Sequence, residues 1–516
     1  MSIHKVKRGG RVYLSKYKSV REGDKVNSVF VKYLGPEDET ERGPRPKRRV
    51  LDRIQMSRSH RAGDITLLWE IARDLDLHGI IDRICCQAHP IPGPSPGKFL
   101  TAWAINRIVD PESCTQLERW VPTTALPALM GMEPGSFTKD AFLTSLDFVC
   151  YHDDPTHRIV DHTATIDDTF YQRWRHDHPL PPGDSETVAY DLTSVLYFGA
   201  TCPLAGLGQR ARETGRRQVN LALLVSRHDR YPIAHFVYNG SRNSSSTVKN
   251  LIARLNEISV QAGTIVWDRG NVSRAHVVEV EGTGWKLISG IPRASKEACA
   301  IVERTDVPIS IDTFAHKGRE GHIYATKTEG RLFGRERSVV VYVNQERRMG
   351  RTSTQHDALL QVGKELDKLG EDGAGWSEAR LHREIARIVG EWRKCVHTRV
   401  RRKGDGPRVE WRYKKGEISG RERSYGKYLL LSSDDSLSAS EVVKAYFEKD
   451  FVEKVFRILK TGEDIEPVRH RLEPRVRAYM FVCVLAYRLL SALRARIVSS
   501  LGEERAWERT FAFVFG

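Results

Sequence analysis

"TVAYDLTSVLYF" (residues 187–198) is a β-rich stretch in which one charged residue, Asp191, stands among apolar neighbours. Four more short, β-rich segments follow it, namely "QVNLALLVS" (218–226), "PIAHFVYN" (232–239), "TIVWD" (264–268) and "WKLIS" (285–289). Helical patterns, "SSTVKNLIARLNEI" and "NVSRAHVVEVE", come after two of these segments. Three successive strands, then strands alternating with helices, predict a mixed α/β sheet with helices on its faces.

Three carboxylates stand out against this pattern. Asp191 lies inside an apolar strand, where a charge is costly unless it is paired or binds a metal. Asp268 ends a strand and begins "DRGN", at the edge where α/β sheets place their sites. Glu453 lies in "AYFEKDFVEKVFRILK" (445–460), a helical pattern. Three such acids would suit a pair of Mg²⁺ ions and phosphoryl transfer; taken singly, each is also typical of a turn, a cap or a surface ion pair.

The helical stretch 445–460 gathers its polar side chains. At about 100° per residue, Tyr446, Lys449, Glu453 and Lys460 fall within about 60° of arc. One carboxylate therefore lies among cations on a single line that is expected to be exposed, and the spacing alone does not say why. One interpretation is a solvated surface helix stabilised by pairs one turn apart.

Charge points to a polyanionic partner. The 516 residues include 82 Lys or Arg and 66 Asp or Glu, a formal charge of +16. Nucleic acid is the first candidate and an anionic membrane surface the second. Residues 391–427 mix cations with Trp411, Tyr413 and Tyr425. This mixture favours either DNA contact through base stacking or an exposed hairpin with cross-strand aromatic pairs.

The rest of the chain shows regional patterns. Residues 11–35 alternate around "EGDK" and predict a β-hairpin, and 42–49 form a basic, proline-containing linker. A helix is predicted from a cap at Asp64 to a stop at Gly79, within a mostly helical region. The apolar segment 478–487 predicts a buried core helix too short to span a bilayer.

The eight cysteines are scattered and form no C-x-x-C pair, which argues against a zinc ribbon and suits a reducing cytoplasm. The first residues lack the apolar stretch of a signal peptide. Cys150, His152, His157 and His162 are close in sequence, so a metal site is one hypothesis. A solvated helix face is the other.

A family resemblance rests on the motifs quoted above. Y-x2-K-x3-E-x6-K at 446–460 resembles the Y-x2-R-x3-E-x6-K signature of a large group of bacterial insertion-sequence DDE transposases, with Lys449 in place of Arg. "YDLTSVLYF" resembles the strand that carries the first aspartate of that family, and "DRGN" resembles the turn that carries the second. The order of the segments from 218 to 270, the N-terminal "VKYLG" and "NRIVDPES" also follow it, so the similarity covers nearly the whole chain.

The resemblance implies a ribonuclease H-like core interrupted by an insertion domain, in agreement with the 185 residues between Asp268 and Glu453. The implied domains are 1–49, a hairpin and linker; 50–180, a helical DNA-binding region; 181–290, the first half of the core; 291–440, the insertion; and 441–516, the second half of the core.

It also implies a mechanism. Asp191, Asp268 and Glu453 would be the catalytic residues and the ligands of two Mg²⁺ ions, for which Mn²⁺ is expected to substitute. The DNA-binding residues would be Tyr446, Lys449, Arg457 and Lys460, which hold terminal phosphates.

The expected reaction is cleavage at the ends of an insertion sequence and joining of those ends to target DNA. The expected partners are terminal inverted repeats, target DNA and a second copy of the chain on paired ends, in the bacterial cytoplasm and without a membrane. Two alternatives stay open: a ribonuclease H-like nuclease without strand transfer, and a non-catalytic DNA-binding protein derived from a transposase.

Overall fold

In the computed structural model, the chain divides into two compact units, Met1–His60 and Arg61–Gly516. The structure describes residues 1–37, 59–86, 95–154, 156–199, 201–258, 263–308, 314–316, 319–321, 323–373, 375–403 and 406–502. The predicted linker at 42–49 lies outside these residues.

The strands are β1 (Ser2–Arg8), β2 (Arg11–Glu22), β3 (Lys25–Pro36), β4 (Cys150–His152), β5 (Ile159–Asp161), β6 (Thr187–Leu196), β7 (Gln218–Ser226), β8 (Pro232–Asn239), β9 (Thr264–Trp267), β10 (Lys286–Ile291), β11 (Phe314–His316), β12 (Arg319–Gly321), β13 (Ile323–Leu332), β14 (Arg335–Asn344), β15 (Val396–Lys403), β16 (Gly406–Tyr413) and β17 (Lys427–Ser432).

The α-helices are α1 (Gly63–Asp74), α2 (Leu77–Cys85), α3 (Pro96–Val109), α4 (Cys114–Trp120), α5 (Leu126–Met130), α6 (Lys139–Val149), α7 (Thr163–Asp177), α8 (Gln209–Thr214), α9 (Ser244–Glu257), α10 (Arg274–Gly282), α11 (Lys296–Arg304), α12 (Gln345–Asp372), α13 (Glu378–Val389), α14 (Lys415–Glu422), α15 (Ala439–Glu448), α16 (Phe451–Arg457) and α17 (Glu473–Leu501). Short 3-10 turns are Val121–Thr123, Pro134–Ser136, Arg269–Asn271 and Gly390–Lys394, and Ile458–Gly462 is a π-helical turn.

The N-terminal unit contains one antiparallel sheet in the order β1-β2-β3. The predicted hairpin at 11–35 is confirmed as β2 and β3. The first strand was not predicted; it turns back through Gly9 and Gly10, both of which have the positive φ that glycine adopts without strain.

The predicted helix from Asp64 to Gly79 is wrong in its extent. The chain forms two helices, α1 and α2, and the second passes through Gly79 to Cys85. Asp76, with a φ of 52°, makes the break between them. The turn lets both helices bury their apolar faces in the same core.

An eight-stranded mixed sheet organises the larger unit, in the order β13-β14-β17-β10-β9-β6-β7-β8. Five strands come from the segments predicted between 187 and 289. Of these, β6, β7 and β8 are antiparallel neighbours, while β9 lies parallel to β6 and β10 parallel to β9. The chain is therefore a mixed α/β protein with many flanking helices, as its pattern predicts.

Segments from the predicted insertion, 291–440, extend this sheet. Strand β17 pairs with β10, and β14 with β17, so the sheet grows by three antiparallel strands. Helices α12 and α13 and the β15–β16 hairpin build a separate apolar core around Leu366 and Leu381.

The helical region and the last helix share one core with the sheet. α17 is 29 residues long, more than the ten predicted as a core helix, and 94% of its most apolar window is buried inside the protein. Its length and composition would also allow it to cross a membrane, but its burial confirms the predicted core position. Ion pairs bind it to the helical region, including Arg488 to Asp167 and Arg475 to Asp147.

Candidate active site

The two aspartates follow paired positions on neighbouring strands. Tyr190 pairs with Trp267 across the parallel strands β6 and β9, and Asp191 and Asp268 come next. Parallel neighbours lie about 4.8 Å apart, and successive side chains alternate between the faces of a sheet. Because Tyr190 and Trp267 both pack into the main core, the two carboxylates are directed to the opposite face.

The Asp191 carboxylate is held in an unfavourable environment. Its own Oδ1 accepts a hydrogen bond of 2.8 Å from the Leu192 amide. Burial raises the pKa of Asp191 to about 6, and the charges of Asp268 and Glu453 add to the rise, against the amide and Lys449. Three acids therefore act on one region, and a cation bound there would relieve the repulsion among them.

Asp268 is held ionised by its neighbours. Its Oδ1 accepts a hydrogen bond of 3.0 Å from the Tyr446 hydroxyl and lies 3.6 Å from the Lys449 ammonium. Burial alone would raise the pKa of Asp268, but Lys449 and hydrogen bonds from the Arg269 amide and Tyr446 outweigh it, so the pKa is lowered. Half of this side chain is exposed, 52%, which leaves it accessible to a ligand.

Helix α15 brings Tyr446 and Lys449 to Asp268. A capping box begins the helix, in which Ser438 and Glu441 exchange hydrogen bonds between side chain and backbone. Val442 and Val443 then pack with Val266 of β9, two residues before Asp268 and on the same side of the strand. This packing fixes the end of the helix over the carboxylate.

Gly290 is a site residue that the sequence did not reveal. It lies on β10, and a methyl group at this position would come within 2.5 Å of the Tyr446 hydroxyl oxygen and 3.0 Å of its Cζ. Only glycine leaves room for the tyrosine to reach Asp268. A lone glycine inside "KLISGI" carries no sequence signal that separates this close approach from a bulge.

The single straight helix predicted for 445–460 is wrong. A turn at Lys449 and Asp450 separates α15 from α16, and the chain widens into a π-helical turn after Arg457. The reason lies in packing: α15 covers the small apolar cluster around Val266, whereas Phe451, Val452, Val455 and Phe456 of α16 enter the main core. The helical-wheel angles therefore do not describe this segment.

Because of the turn between α15 and α16, the predicted site residues of 445–460 lie in different surroundings. Tyr446 and Lys449 contact Asp268, and Glu453, exposed on α16, acts on Asp191 through its charge. Lys460 was expected to be exposed, but it is half-buried.

Burial lowers the pKa of Lys460. The charge of Glu466 partly opposes this shift, and the charge of Arg210 adds slightly to it. Glu466 in turn accepts hydrogen bonds from Arg210 and from the Leu196 amide at the end of β6. Arg457 is exposed on α16.

No three His, Cys, Asp or Glu side chains within the described residues lie close enough together to hold a metal ion. Asp191, Asp268 and Glu453 thus interact through their charges but do not form a closed ligand set in this structure. The Cys150 group lies on the β4–β5 hairpin and its flanks rather than on a helix face. Cys150 itself is buried, and burial raises the pKa of its thiol.

The aromatic residues of the basic stretch 391–427 serve the core of the inserted segment. The Trp411 indole donates to Asp367 at 2.9 Å, and the Tyr413 hydroxyl donates to the Leu359 carbonyl at 2.9 Å, both on α12. Trp411 and Tyr413 lie on the same strand with ring centroids 5.0 Å apart, so they are not a cross-strand pair. Because the two rings pack on α12, the base-stacking interpretation finds no support at these two residues.

No protein-family model matches the chain, and no curated protein matches it in sequence. Among solved structures, one that it resembles is the cryo-EM structure of the piggyBac transposase synaptic complex with hairpin DNA. The likeness covers 87% of this chain and 80% of that chain, with 10% sequence identity and a TM-score of 0.39. A likeness this weak carries no weight for fold or function.

Proposed function

We propose that the chain is a DDE transposase that cuts DNA at the ends of an insertion sequence and joins those ends to target DNA. The observation that carries the proposal is the pairing of Tyr190 with Trp267, which sets Asp191 and Asp268 side by side on one face. Glu453 acts on the same region from a helix that follows in the chain. Two strand acids and a helix acid are the constellation that the sequence motifs predict.

The sheet supports a ribonuclease H-like core. Three antiparallel strands, β6 to β8, are followed by two parallel strands that add on the other side of β6. The first aspartate then lies on the central strand and the second on its parallel neighbour. In this proposal the five strands form that core, and the strands β13, β14 and β17 are additions to it.

Asp191, Asp268 and Glu453 would hold the divalent cations, which are expected to be Mg²⁺ or Mn²⁺. The donor chemistry fits, because hard cations take carboxylate oxygens. A bound cation would offset the charges of Asp268 and Glu453, which add to the effect of burial in raising the pKa of Asp191. When bound, two such ions activate the attacking oxygen and stabilise the leaving oxygen of an in-line phosphoryl transfer. For Asp268 to take part, its Oδ1 must be shared with or released by Lys449 and Tyr446.

The cations of this region would position DNA. Lys449 is partly exposed and lies next to Asp268, so a phosphate that enters the site would meet its ammonium group. Arg457 and Lys460 would contact the strand farther along. The formal charge of +16 suits DNA as the partner. Action as a homodimer on paired ends, in the bacterial cytoplasm, is part of the same proposal.

The test is single-turnover cleavage and joining of labelled DNA that carries the element's own ends, in Mg²⁺. Asp191→Ala, Asp268→Ala and Glu453→Ala should each abolish cleavage while DNA affinity stays nearly unchanged. Glu448→Gln is the matched control, since Glu448 is five residues from Glu453 but pairs with Arg227, and it should cleave normally.

The outcomes separate the alternatives. Cleavage retained in one of the three alanine variants would remove that residue from the site. Cleavage by the wild-type chain without joining would favour a nuclease. Binding without either reaction would favour a non-catalytic DNA-binding protein.

A further inference from the structure

The sheet of the N-terminal unit has two chemically different faces. Residues paired across antiparallel strands point to the same side, and the register pairs His4 with Ser15, Ser15 with Tyr33, and Tyr17 with Phe30. Together with Tyr13, the rings His4, Tyr17, Phe30 and Tyr33 form one surface, the aromatic face, which also carries Val6 and Val26. The opposite face carries lysines and aliphatic side chains: Ile3, Lys5, Lys7, Val12, Leu14, Lys16, Lys18, Val29 and Lys32.

The rings of the aromatic face are close together and accessible. His4 and Tyr17 have centroids 4.5 Å apart, and Tyr17 meets Phe30 edge-on at 5.7 Å. Phe30 is 55% exposed and Tyr33 51%. A contiguous group of exposed rings is an apolar patch on the surface, and such patches are typical of binding sites.

Positive charge surrounds these rings. Residues 1–36 contain nine Lys or Arg against two Asp or Glu. On the aromatic face, Arg8 and Arg11 pair with each other at one end, and Arg21 lies at the other end of β2. The row of rings therefore lies between arginines, with the lysines on the reverse side and at the edges.

We propose that the aromatic face binds unpaired nucleotides, with bases stacked on Tyr17 and Phe30 and phosphates held by Arg8, Arg11 and Arg21. A polyanion is favoured by the charge, and among polyanions only a nucleic acid offers flat faces to the rings. Single strands are favoured over duplex because the faces of paired bases are hidden in the stack. Sequence-tolerant stacking between cations needs no catalytic acid, so the proposal stands apart from the cleavage reaction.

Cross-linking locates the site directly. The full chain, in EDTA, is irradiated with an oligodeoxythymidine of about twelve nucleotides that carries one 5-iododeoxyuridine, and the cross-linked peptides are sequenced. Cross-links should fall on Tyr17, Phe30 or Tyr33. Cross-links confined to residues beyond 60 would overturn the proposal.

Affinity of the same oligonucleotide separates stacking from folding. Tyr17→Leu and Phe30→Leu keep apolar bulk in the strand but remove the ring, and each should weaken binding by about 5- to 100-fold. Tyr17→Phe should bind like wild type. Val29→Ala is the matched control, adjacent to Phe30, 50% exposed and on the other face, and it should also bind like wild type.

Each remaining outcome contradicts the proposal. Unchanged affinity in both leucine variants would exclude stacking. A larger loss for a duplex of the same length than for the single strand would assign the face to paired DNA. If the leucine variants sediment differently from the wild-type chain but bind the oligonucleotide with the same affinity, the face would be assigned to a second copy of the chain.

Discussion

Replacing Gly290 by alanine tests whether Tyr446 is positioned over Asp268 by open space on β10. The added methyl group would lie 2.5 Å from the Tyr446 hydroxyl oxygen, 3.0 Å from its Cζ and 3.3 Å from Cβ of Arg269. Carbon contacts need about 3.5 Å or more, so the hydroxyl must move by roughly 0.5–1 Å. Its hydrogen bond to Asp268, 3.0 Å long, would then be lost or lengthened.

The size of the effect follows from those contacts. Overpacking a buried site costs about 1–3 kcal/mol of the free energy of unfolding. A hydrogen bond to a charged group is worth about 1.5–3 kcal/mol, and 1.4 kcal/mol is about tenfold in rate. Gly290→Ala should therefore lower the melting temperature. Because it also displaces the Tyr446 hydroxyl that is expected to hold a terminal phosphate, it should slow single-turnover cleavage by about 10- to 100-fold.

Two further variants separate the tyrosine from general damage. Gly282→Ala, at the end of α10 with nothing within 4 Å of the added methyl group, should not slow cleavage and should keep or slightly raise the melting temperature, because alanine favours a helix more than glycine does. In Gly290→Ala/Tyr446→Phe the nearest oxygen is gone, so stability should partly recover while the rate matches that of Tyr446→Phe alone. If Gly290→Ala cleaves and melts like wild type, Tyr446 is not held as described.

Other predictions concern the charged residues. The pKa of Asp191 is raised from 3.8 to about 6, so the folded state binds more protons than the unfolded state between these values. In EDTA, the free energy of unfolding should therefore fall by on the order of 2 kcal/mol as pH rises from about 4 to 6. Asp191→Asn should flatten this pH dependence, and an unchanged pH profile in that variant would refute the assignment to Asp191. Lys449→Arg restores the residue usual in the resembled family and its planar fork, so cleavage should hold or rise. Lys454→Arg, at an exposed position of α16 that has no proposed role in the site, should leave cleavage unchanged. A strong loss in Lys449→Arg alone would contradict the phosphate role. Lys460→Met keeps the apolar stem but removes the ammonium group, whose pKa is lowered by burial, so the melting temperature should hold or rise. Cleavage should slow by about 10- to 100-fold, because a phosphate contact is lost. Normal cleavage by Lys460→Met would remove Lys460 from the site.

The sheet was predictable because its strands carry their own signal. β-rich segments between punctuating turns predicted β7 and β8 with their bounds, and β6, β9 and β10 to within two residues. The aspartates could be placed because a charge in an apolar strand and a carboxylate at a strand end are both unusual.

What the sequence did not reveal depends on distant contacts. Helical periodicity runs through 445–460, yet the chain turns at Lys449 because its two halves enter different cores. Likewise, no local pattern indicates that β14 and β17 extend the main sheet, or that Gly290 meets a tyrosine from another element.

The helices of the predicted DNA-binding region, 50–180, pack into the main core of the larger unit. Helices α3 and α6 share the core of α17, and Arg107 of α3, buried, donates to the carbonyl oxygen of Glu463 at 2.8 Å. The described residues between 61 and 180 therefore belong to the same compact unit as the sheet that carries Asp191 and Asp268. Point variants on their surface, rather than deletion, can test their role in DNA recognition.

The most direct measurement of the central claim is iron-directed cleavage of the polypeptide itself. Fe²⁺, ascorbate and peroxide added to the metal-free protein generate hydroxyl radicals where the cation binds, and the cut positions are read by mass spectrometry. The account predicts cuts close to residues 191, 268 and 453, suppressed by excess Mg²⁺ and lost in Asp191→Asn and Asp268→Asn. Cuts confined to the β4–β5 hairpin, or none that Mg²⁺ suppresses, would contradict a metal site built from Asp191, Asp268 and Glu453.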